Sequence, residues 1–323
     1  MKRLSRIVPI SLIVALAAGN VLAQSYPSRP VRVVIPMAAG GQMDTIARLI
    51  AQKLTESWKQ PALIENRGGS GGNVGATAVA KSEPNGYTFL MASSGIAISR
   101  SVYRKLAFDP VKDLIPVSQI YSSCLMLVVN PSVPANSVTE LIALAKAQPG
   151  RLNYASSGSG GNPHLAAELF KAMTGTDMVH IPYKGAAQTD SAVVANEVQV
   201  LFAIQDGVLP FVKSGRLRAL GITAKSRLSA MPDVPTVAES GVPDYEFRTW
   251  VGMFAPAGTA REIVTRLYAE VARILAMPDV RERIIGMRNE PAGTTPEEFD
   301  AMFKADVARY ARIVKEARIP LQD

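Results

Sequence analysis

The sequence contains one cysteine, two histidines and few aromatic residues, and each shortage excludes a class of protein. Cys124 alone cannot form an internal disulfide, and its place in an apolar run predicts a buried small hydrophobic residue. His164 and His180 form no H-x-x-x-H pair, so a zinc site is not expected. Aromatic residues make up 6% of the chain, and the basic residues are scattered, which argues against a nucleic-acid-binding surface. We therefore expect no metal, no cofactor and no nucleic acid.

Long apolar runs are also lacking, except for a short one at the N-terminus. Lys2, Arg3 and Arg6 precede the apolar run Ile7–Ala18, and Val21-Leu22-Ala23 has the small residues of a cleavage site. This pattern predicts a signal peptide, residues 1–23, that is cut after Ala23. A retained N-terminal anchor is the alternative, although the run is short for a membrane span. Removal of the three basic residues lowers the formal net charge from +8 to +5.

Strand-like apolar runs alternate with helical patterns through most of the chain. Val31–Ile35, Ala62–Glu65 and Thr88–Met91 are typical of strands, with helical patterns at Thr45–Leu54 and Val74–Lys81 between them. This βαβαβ order predicts a parallel sheet. A second α/β unit follows, so the sequence predicts two small α/β units with a ligand cleft between them. Its predicted strands are Leu125–Val129, Leu152–Ala155, Val179–Pro182, Val198–Ala203 and Leu217–Thr223.

Two loops rich in glycine, each between a strand and a helix, are the candidate binding segments. In Pro36–Asp44, the pair Gly40-Gly41 lets a ligand approach the backbone. The free N–H groups of the following helix could then hold an anion. Ser156–Gly161 repeats the arrangement with serine hydroxyls, and Ser93-Ser94-Gly95 is a shorter version. The alternatives are a tight βα connection for the first loop and a simple helix cap for the second.

Other motifs offer competing interpretations. Gly68-Gly69-Ser70-Gly71-Gly72 matches the G-x-S-x-G pattern of hydrolases, with His164 or His180 as a possible base. Four glycines around Ser70 favour a flexible loop instead. Neither G-x-G-x-x-G nor the P-loop pattern is present, so a nucleotide-binding signature is missing.

Five charged or titratable residues near the predicted cleft are considered for binding or structural roles. His164 could touch a ligand, whereas His180 lies on a strand and is expected to be structural. Lys184, in Tyr183-Lys184-Gly185, could bring an ammonium group to the cleft or lie on a surface turn. Asp44 and Asp206 would repel an anionic ligand unless each is turned away or engaged by its own loop.

A set of motifs, recurring in order, resembles one family of proteins. The sequence is similar to the Bug-type receptors, the periplasmic solute-binding components of tripartite tricarboxylate transporters, over essentially the whole mature chain. The motifs that carry the resemblance are Pro36–Asp44, Glu65-Asn66-Arg67, Gly71–Ala76, Asn85–Thr88, Ser156–Gly160 with His164-Leu165, Pro182–Gly185, Pro235-Thr236 with Glu239 and Gly241, and Trp250 with Ala255–Thr259.

The resemblance implies a two-lobed periplasmic-binding-protein fold of type II-like α/β architecture, closing on a small carboxylate. Lobe I would comprise residues 24–121 and 226–323, and lobe II residues 122–225, with hinges near Ile115–Tyr121 and Leu220–Lys225. The residues implied in ligand binding are Ala39, Gly40, Gly41 and Gln42 in lobe I, Ser156, Ser157, Gly158 and Ser159 in lobe II, and Ser93 and Asp206 as lesser candidates. The family usually has proline where Ala39 stands here.

The function implied is capture of a small organic mono- or dicarboxylate in the periplasm and its delivery to a membrane permease, by a monomer without catalytic activity. Met37, Gln42 and Met43 occupy variable positions, where selectivity for the far end of the ligand is expected. Two alternatives stay open at this point. One is an exported serine hydrolase using Ser70, and the other is a periplasmic sensor whose bound form docks on a signalling receptor.

Overall fold

The structure is a computed structural model that describes residues 26–228 and 231–322. The predicted signal peptide, residues 1–23, and its cleavage site lie outside the described residues. Within those two ranges, no helix is both long enough and apolar enough to cross a membrane.

The described chain opens with the predicted alternation of strands and helices. The first three strands pair in parallel in the order β2-β1-β3. The helix α1 buries Ile46, Ile50 and Leu54, whose spacing places them on one apolar stripe. These elements are β1 (Val31–Ile35), α1 (Gln42–Trp58), β2 (Ala62–Asn66), α2 (Asn73–Ala80), β3 (Thr88–Ser93) and α3 (Gly95–Val102).

The second α/β unit and a mainly helical C-terminal part follow. The second unit comprises β4 (Leu114–Val129), α4 (Val138–Ala147), β5 (Asn153–Ser156), α5 (Asn162–Thr174), β6 (Val179–Pro182), α6 (Ala186–Val194), β7 (Val200–Ile204), α7 (Gln205–Lys213) and β8 (Arg218–Ile222). The C-terminal part comprises β9 (Arg248–Pro256), α8 (Arg261–Leu275), α9 (Pro278–Gly286), β10 (Glu290–Pro291) and α10 (Pro296–Glu316).

The strand β4 is longer than the predicted strand Leu125–Val129. It is one continuous strand of 16 residues, because no glycine, proline or asparagine interrupts the chain between Tyr121 and Leu125. Its partner is β9 as far as Cys124, and from Leu125 onward it pairs with β7 and β8. The change of partner therefore lies at Cys124–Leu125, just beyond the segment expected to act as a hinge.

One strand thus belongs to two sheets, and its direction orients both. In the first sheet β4 runs parallel to β3, because β9 is antiparallel to each of them. In the second sheet β7 is antiparallel to β4 and parallel to β5. The carboxyl ends of β1 and β3 therefore point toward the second sheet, and those of β5 and β7 point back toward the first.

This arrangement is the predicted two-lobed periplasmic-binding-protein fold with a cleft between the lobes. We call the part built on the first sheet lobe I and the part built on the second sheet lobe II. The helix α10 contacts α3, β4 and α5, and the largest hydrophobic cluster includes residues of both sheets. Trp250 lies in this cluster, and its indole N–H donates to Asp306. The two lobes therefore share a core on one side.

Cys124 is buried, as the sequence predicts, at the point where β4 changes sheets. Its thiol accepts a hydrogen bond from the Gln205 side chain. Burial raises the pKa of this thiol to about 12. The reactive species of a cysteine is the thiolate, so Cys124 has a packing role here.

Candidate functional site

The first candidate loop lies between the end of β1 and the start of α1. Gly40 has a φ of +88°, a left-handed conformation that favours glycine. A Cβ built on Gly40 or on Gly41 would meet no atom within 4 Å, so both face open space. Gln42 is the first residue of α1, and the initial N–H groups of a helix have no intrahelical acceptor. The loop therefore offers exposed backbone donors to the cleft.

Asp44 lies beneath this loop and is 4% exposed. Its carboxylate accepts hydrogen bonds from the Gly40 N–H at 2.9 Å, from Arg48 at 3.0 Å and from Asn66 at 2.9 Å. The bond from Arg48, with those from Gly40 and Asn66, outweighs burial and lowers the pKa of Asp44 to about 2. Asp44 is therefore turned away from an anion in the cleft and stabilises the loop that would hold it.

We expect Asp44→Ala to destabilise the protein by about 1.5–3 kcal/mol, because hydrogen bonds to a buried charge contribute that much. Carboxylate affinity should also fall, since the loop containing Gly40 is released. Asp279→Ala is the matched control, because Asp279 forms an exposed ion pair with Lys53 and such pairs contribute less than about 1 kcal/mol. Urea denaturation measures both variants, and equal losses of stability would contradict the role given to Asp44.

The second candidate loop, between β5 and α5, is held from below by the two histidines. Ser156 is fully buried. Its hydroxyl donates to the Gly158 carbonyl at 2.9 Å and lies 2.6 Å from Nε2 of His180. The Gly160 N–H donates to Nδ1 of His164 at 2.8 Å. The hydroxyl of Ser156 is thus engaged inside the loop, while Ser157, Gly158 and Ser159 are partly exposed.

The imidazoles of His164 and His180 are stacked on each other, with ring centroids 3.8 Å apart and planes 8° from parallel. Burial, and the neighbouring His180, lower the pKa of His164 to about 3. Burial likewise lowers the pKa of His180 to about 4. Both rings are therefore neutral near pH 7, which leaves Nδ1 of His164 free to accept the hydrogen bond from Gly160. His164 supports the loop, as His180 does, and its contact with a ligand stays a prediction.

Hydrogen bonds between the lobes bring the two candidate regions together. Asp206, at the start of α7 in lobe II, accepts a bond from Nε2 of Gln42 at 2.5 Å and one from Arg288 at 2.7 Å. Ser94, just before α3 in lobe I, donates to Asn162, the first residue of α5, at 3.1 Å. The N-terminal ends of α1 and α7 therefore meet between the lobes, as do those of α3 and α5.

Other predicted residues are placed less centrally. Lys184 is exposed on the turn before α6, where its backbone N–H donates to Gln188. Ser93 ends β3 and is partly exposed. Ser70 lies in an exposed one-turn 3₁₀ segment, and both histidines are engaged with the second loop instead of with Ser70. The hydrolase alternative therefore lacks its base.

The sequence analysis did not identify Arg288, which lies between α9 and β10. Arginines in such connections are common on protein surfaces, and no motif surrounds this one. Its relevance arises from Asp206, from which it is separated by 82 residues in the sequence. The contacts of Ala39, Gly40, Gly41, Ser157, Gly158 and Ser159 with a ligand stay predictions.

Comparison with known proteins yields a consistent set of relatives. The family described as "Tripartite tricarboxylate transporter family receptor" (TctC) matches residues 46–319. Protein BugT of Bordetella pertussis is 34% identical over 324 residues, covering 100% of this chain and 99% of its own. The solved structure of R. palustris Rpa4515 with adipate has a TM-score of 0.84 at 36% identity, over 92% of this chain and 100% of that one. MatC from Rhodopseudomonas palustris, with bound malate, has a TM-score of 0.79 at 30% identity, over 90% and 100%.

Proposed function

The chain belongs to the receptor family of tripartite tricarboxylate transporters, and we propose that it captures a small organic carboxylate in the periplasm. Members of this family are binding receptors and not enzymes. Delivery of the captured solute to the permease subunits of such a transporter is the second part of the proposal. A monomer cut after Ala23 is the expected working form.

The observation that carries the proposal is that helix N-termini of one lobe meet those of the other, α1 with α7 and α3 with α5. The partial positive charge at a helix N-terminus favours anions, and its free N–H groups bind carboxylates directly. The loop Pro36–Asp44 contains no lysine, arginine or histidine, so its contribution to anion binding would come from backbone amides. The relatives solved with adipate and with malate contain ligands of this chemical class.

We propose that lobe I comprises residues 24–121 and 226–323 and that lobe II comprises residues 122–225. The change of partner along β4 at Cys124–Leu125 supports this division. A ligand that contacts both lobes would favour the closed arrangement, because it binds that arrangement better than the open one. The bonds between Gln42 and Asp206 and between Ser94 and Asn162 join the two lobes and would favour the closed arrangement.

A thermal-shift screen of carboxylates on the purified mature protein tests the function. Binding at a ligand concentration of about 100 times Kd stabilises the folded state by about 2.7 kcal/mol, so we expect a clear rise in Tm with adipate, malate or a related acid. The diamide of each acid is the matched control, since it has the same length without the charge. If no aliphatic or aromatic carboxylate raises Tm above its amide, the proposed function is wrong.

A further inference from the structure

The ion pair between Asp206 and Arg288 lies at the place where the two lobes meet. Asp206 uses one carboxylate oxygen for Nε2 of Gln42 and the other for a terminal nitrogen of Arg288. Gln42 makes a second bond to the Met287 carbonyl at 2.9 Å. The α9–β10 connection, which contains Met287 and Arg288, is therefore fixed beside the first residue of α1.

We propose that Arg288 forms a binding subsite for a second carboxylate of the ligand and so determines selectivity for dicarboxylates over monocarboxylates. This inference rests on the proposed function, in which the first carboxylate is bound by the loop ending at Gly41. The Asp206 carboxylate bridges the Arg288 guanidinium and the side-chain amide of Gln42. Gln42 is the residue directly after Gly41.

The guanidinium of Arg288 has capacity for a further anion. It contains five N–H donors in a planar fork that suits carboxylates. Within residues 26–228 and 231–322, its one hydrogen bond and its one ion pair are both with Asp206. Its side chain is 24% exposed. Arg48, by contrast, directs two nitrogens at Asp44 and one of them also at Asn66.

Buried polar atoms lack partners on the residues that adjoin Arg288 and Asp206 in the sequence, although Nε2 of Gln205 donates to Cys124. Asn289 is 3% exposed, and neither polar atom of its side chain has a partner among the described residues. Gln205, next to Asp206, is 2% exposed, and its Oε1 lacks a partner in the same part of the chain. Buried polar groups in native proteins are nearly always hydrogen-bonded to protein, water or ligand. Polar atoms of a bound solute, with its water, would satisfy such groups.

The competing interpretation is that the pair only fastens the lobes together. A fastening contact contributes equally to every ligand that requires closure, whereas a carboxylate subsite contributes only when a second carboxylate is present. The two interpretations are therefore separated by comparing a dicarboxylate with the monocarboxylate of the same chain length.

The experiment measures Kd by calorimetry for three matched pairs: succinate and butanoate, glutarate and pentanoate, adipate and hexanoate. For the best-bound length, we expect the wild type to prefer the dicarboxylate. Arg288→Gln should weaken the dicarboxylate about tenfold to a hundredfold, the range for a lost charged hydrogen bond, and change the monocarboxylate less than about threefold. Arg288→Lys keeps the charge without the fork and should restore part of the preference.

Arg273→Gln is the matched control, because Arg273 forms a comparable exposed ion pair with Glu270 on α8, and it should leave every Kd unchanged. Equal weakening of both members of a pair by Arg288→Gln would show a fastening contact and overturn the subsite. An unchanged preference would overturn it as well. If the wild type binds carboxylates but prefers no dicarboxylate, this inference alone is wrong. If it binds none of the carboxylates, the proposed function is wrong too.

Discussion

Gly160→Ala is expected to weaken carboxylate binding about tenfold to a hundredfold. A Cβ on Gly160 would lie 2.3 Å from Cγ1 of Val102 and 2.9 Å from its Cγ2. Val102 ends α3 in lobe I, whereas Gly160 lies in the second loop of lobe II. Because the clash lies between the lobes, we expect it to be relieved when the cleft opens. Overpacking of this kind costs about 1–3 kcal/mol, which reduces the affinity of any ligand that requires closure.

Gly160 also has a φ of +76°, and alanine in this left-handed region costs about 1–2 kcal/mol in either arrangement. Gly175→Ala isolates that second effect, because Gly175 has a φ of +63° with no atom within 4 Å of a built Cβ. It should lower the unfolding free energy without changing Kd. Val102→Ala, combined with Gly160→Ala, should recover part of the lost affinity. Equal Kd values for the Gly160 and Gly175 variants would refute the contact between lobes.

Acidification is expected to destabilise the second loop through its two stacked histidines. The pKa values of His164, about 3, and of His180, about 4, lie below the ordinary value of 6.5. Between pH 6.5 and about 4 the unfolded chain therefore binds more protons than the folded protein, and the unfolding free energy decreases as pH falls. Each histidine contributes a slope of up to about 1.4 kcal/mol per pH unit. Protonation would also turn Nδ1 of His164 into a donor facing the Gly160 N–H.

Other groups near the rings, and one elsewhere, affect this pH dependence. Tyr154 stacks on His180 and donates to Glu168, which also pairs with Lys171. Glu168 favours protonation of His180 and Lys171 opposes it. Elsewhere in lobe II, burial raises the pKa of Asp190 to about 6, which gives a slope of opposite sign over the same range.

The test therefore compares the pH dependence of the unfolding free energy of the wild type with that of a variant without the two histidines. Urea denaturation from pH 4.5 to 7.5 should give a steeper pH dependence for the wild type than for the double variant His164→Gln, His180→Gln. The variant keeps hydrogen-bonding side chains but does not titrate, while Asp190 affects both proteins alike. Parallel dependences would show that the imidazoles are not held neutral in the folded state.

The strands and helices that could be predicted are those with strong local patterns. The βαβαβ order at the start of the chain was predicted correctly, because buried parallel strands appear as continuous apolar runs between amphipathic helices. The continuity of β4 was not predicted, because the polar residues Ser122 and Ser123 interrupt the apolar pattern without ending the strand. A strand that changes partners has different neighbours along its length, and a single sequence does not specify those neighbours.

The candidate site divides in a similar way. Both glycine-rich loops were located, since glycine and serine before a helix indicate exposed N–H groups. The support that His164 gives to the second loop was not predicted, because a histidine at a helix start has the same local pattern whether it faces solvent or lies beneath a loop. Arg288 was not identified, because its partner Asp206 is distant in the chain and belongs to the other lobe.

The sequence by itself determined the two glycine loops, the alternation of strands and helices, and the absence of zinc and nucleotide signatures. These features depend on residues within a few positions of each other. Only the tertiary structure decided that both loops lie at the boundary between the lobes and that Asp206 meets Gln42 and Arg288. The physical reason is the direction of β4, which runs with β3 in one sheet and against β5 and β7 in the other. Because of that reversal, the helix N-termini that follow the strands of each lobe point toward the other lobe.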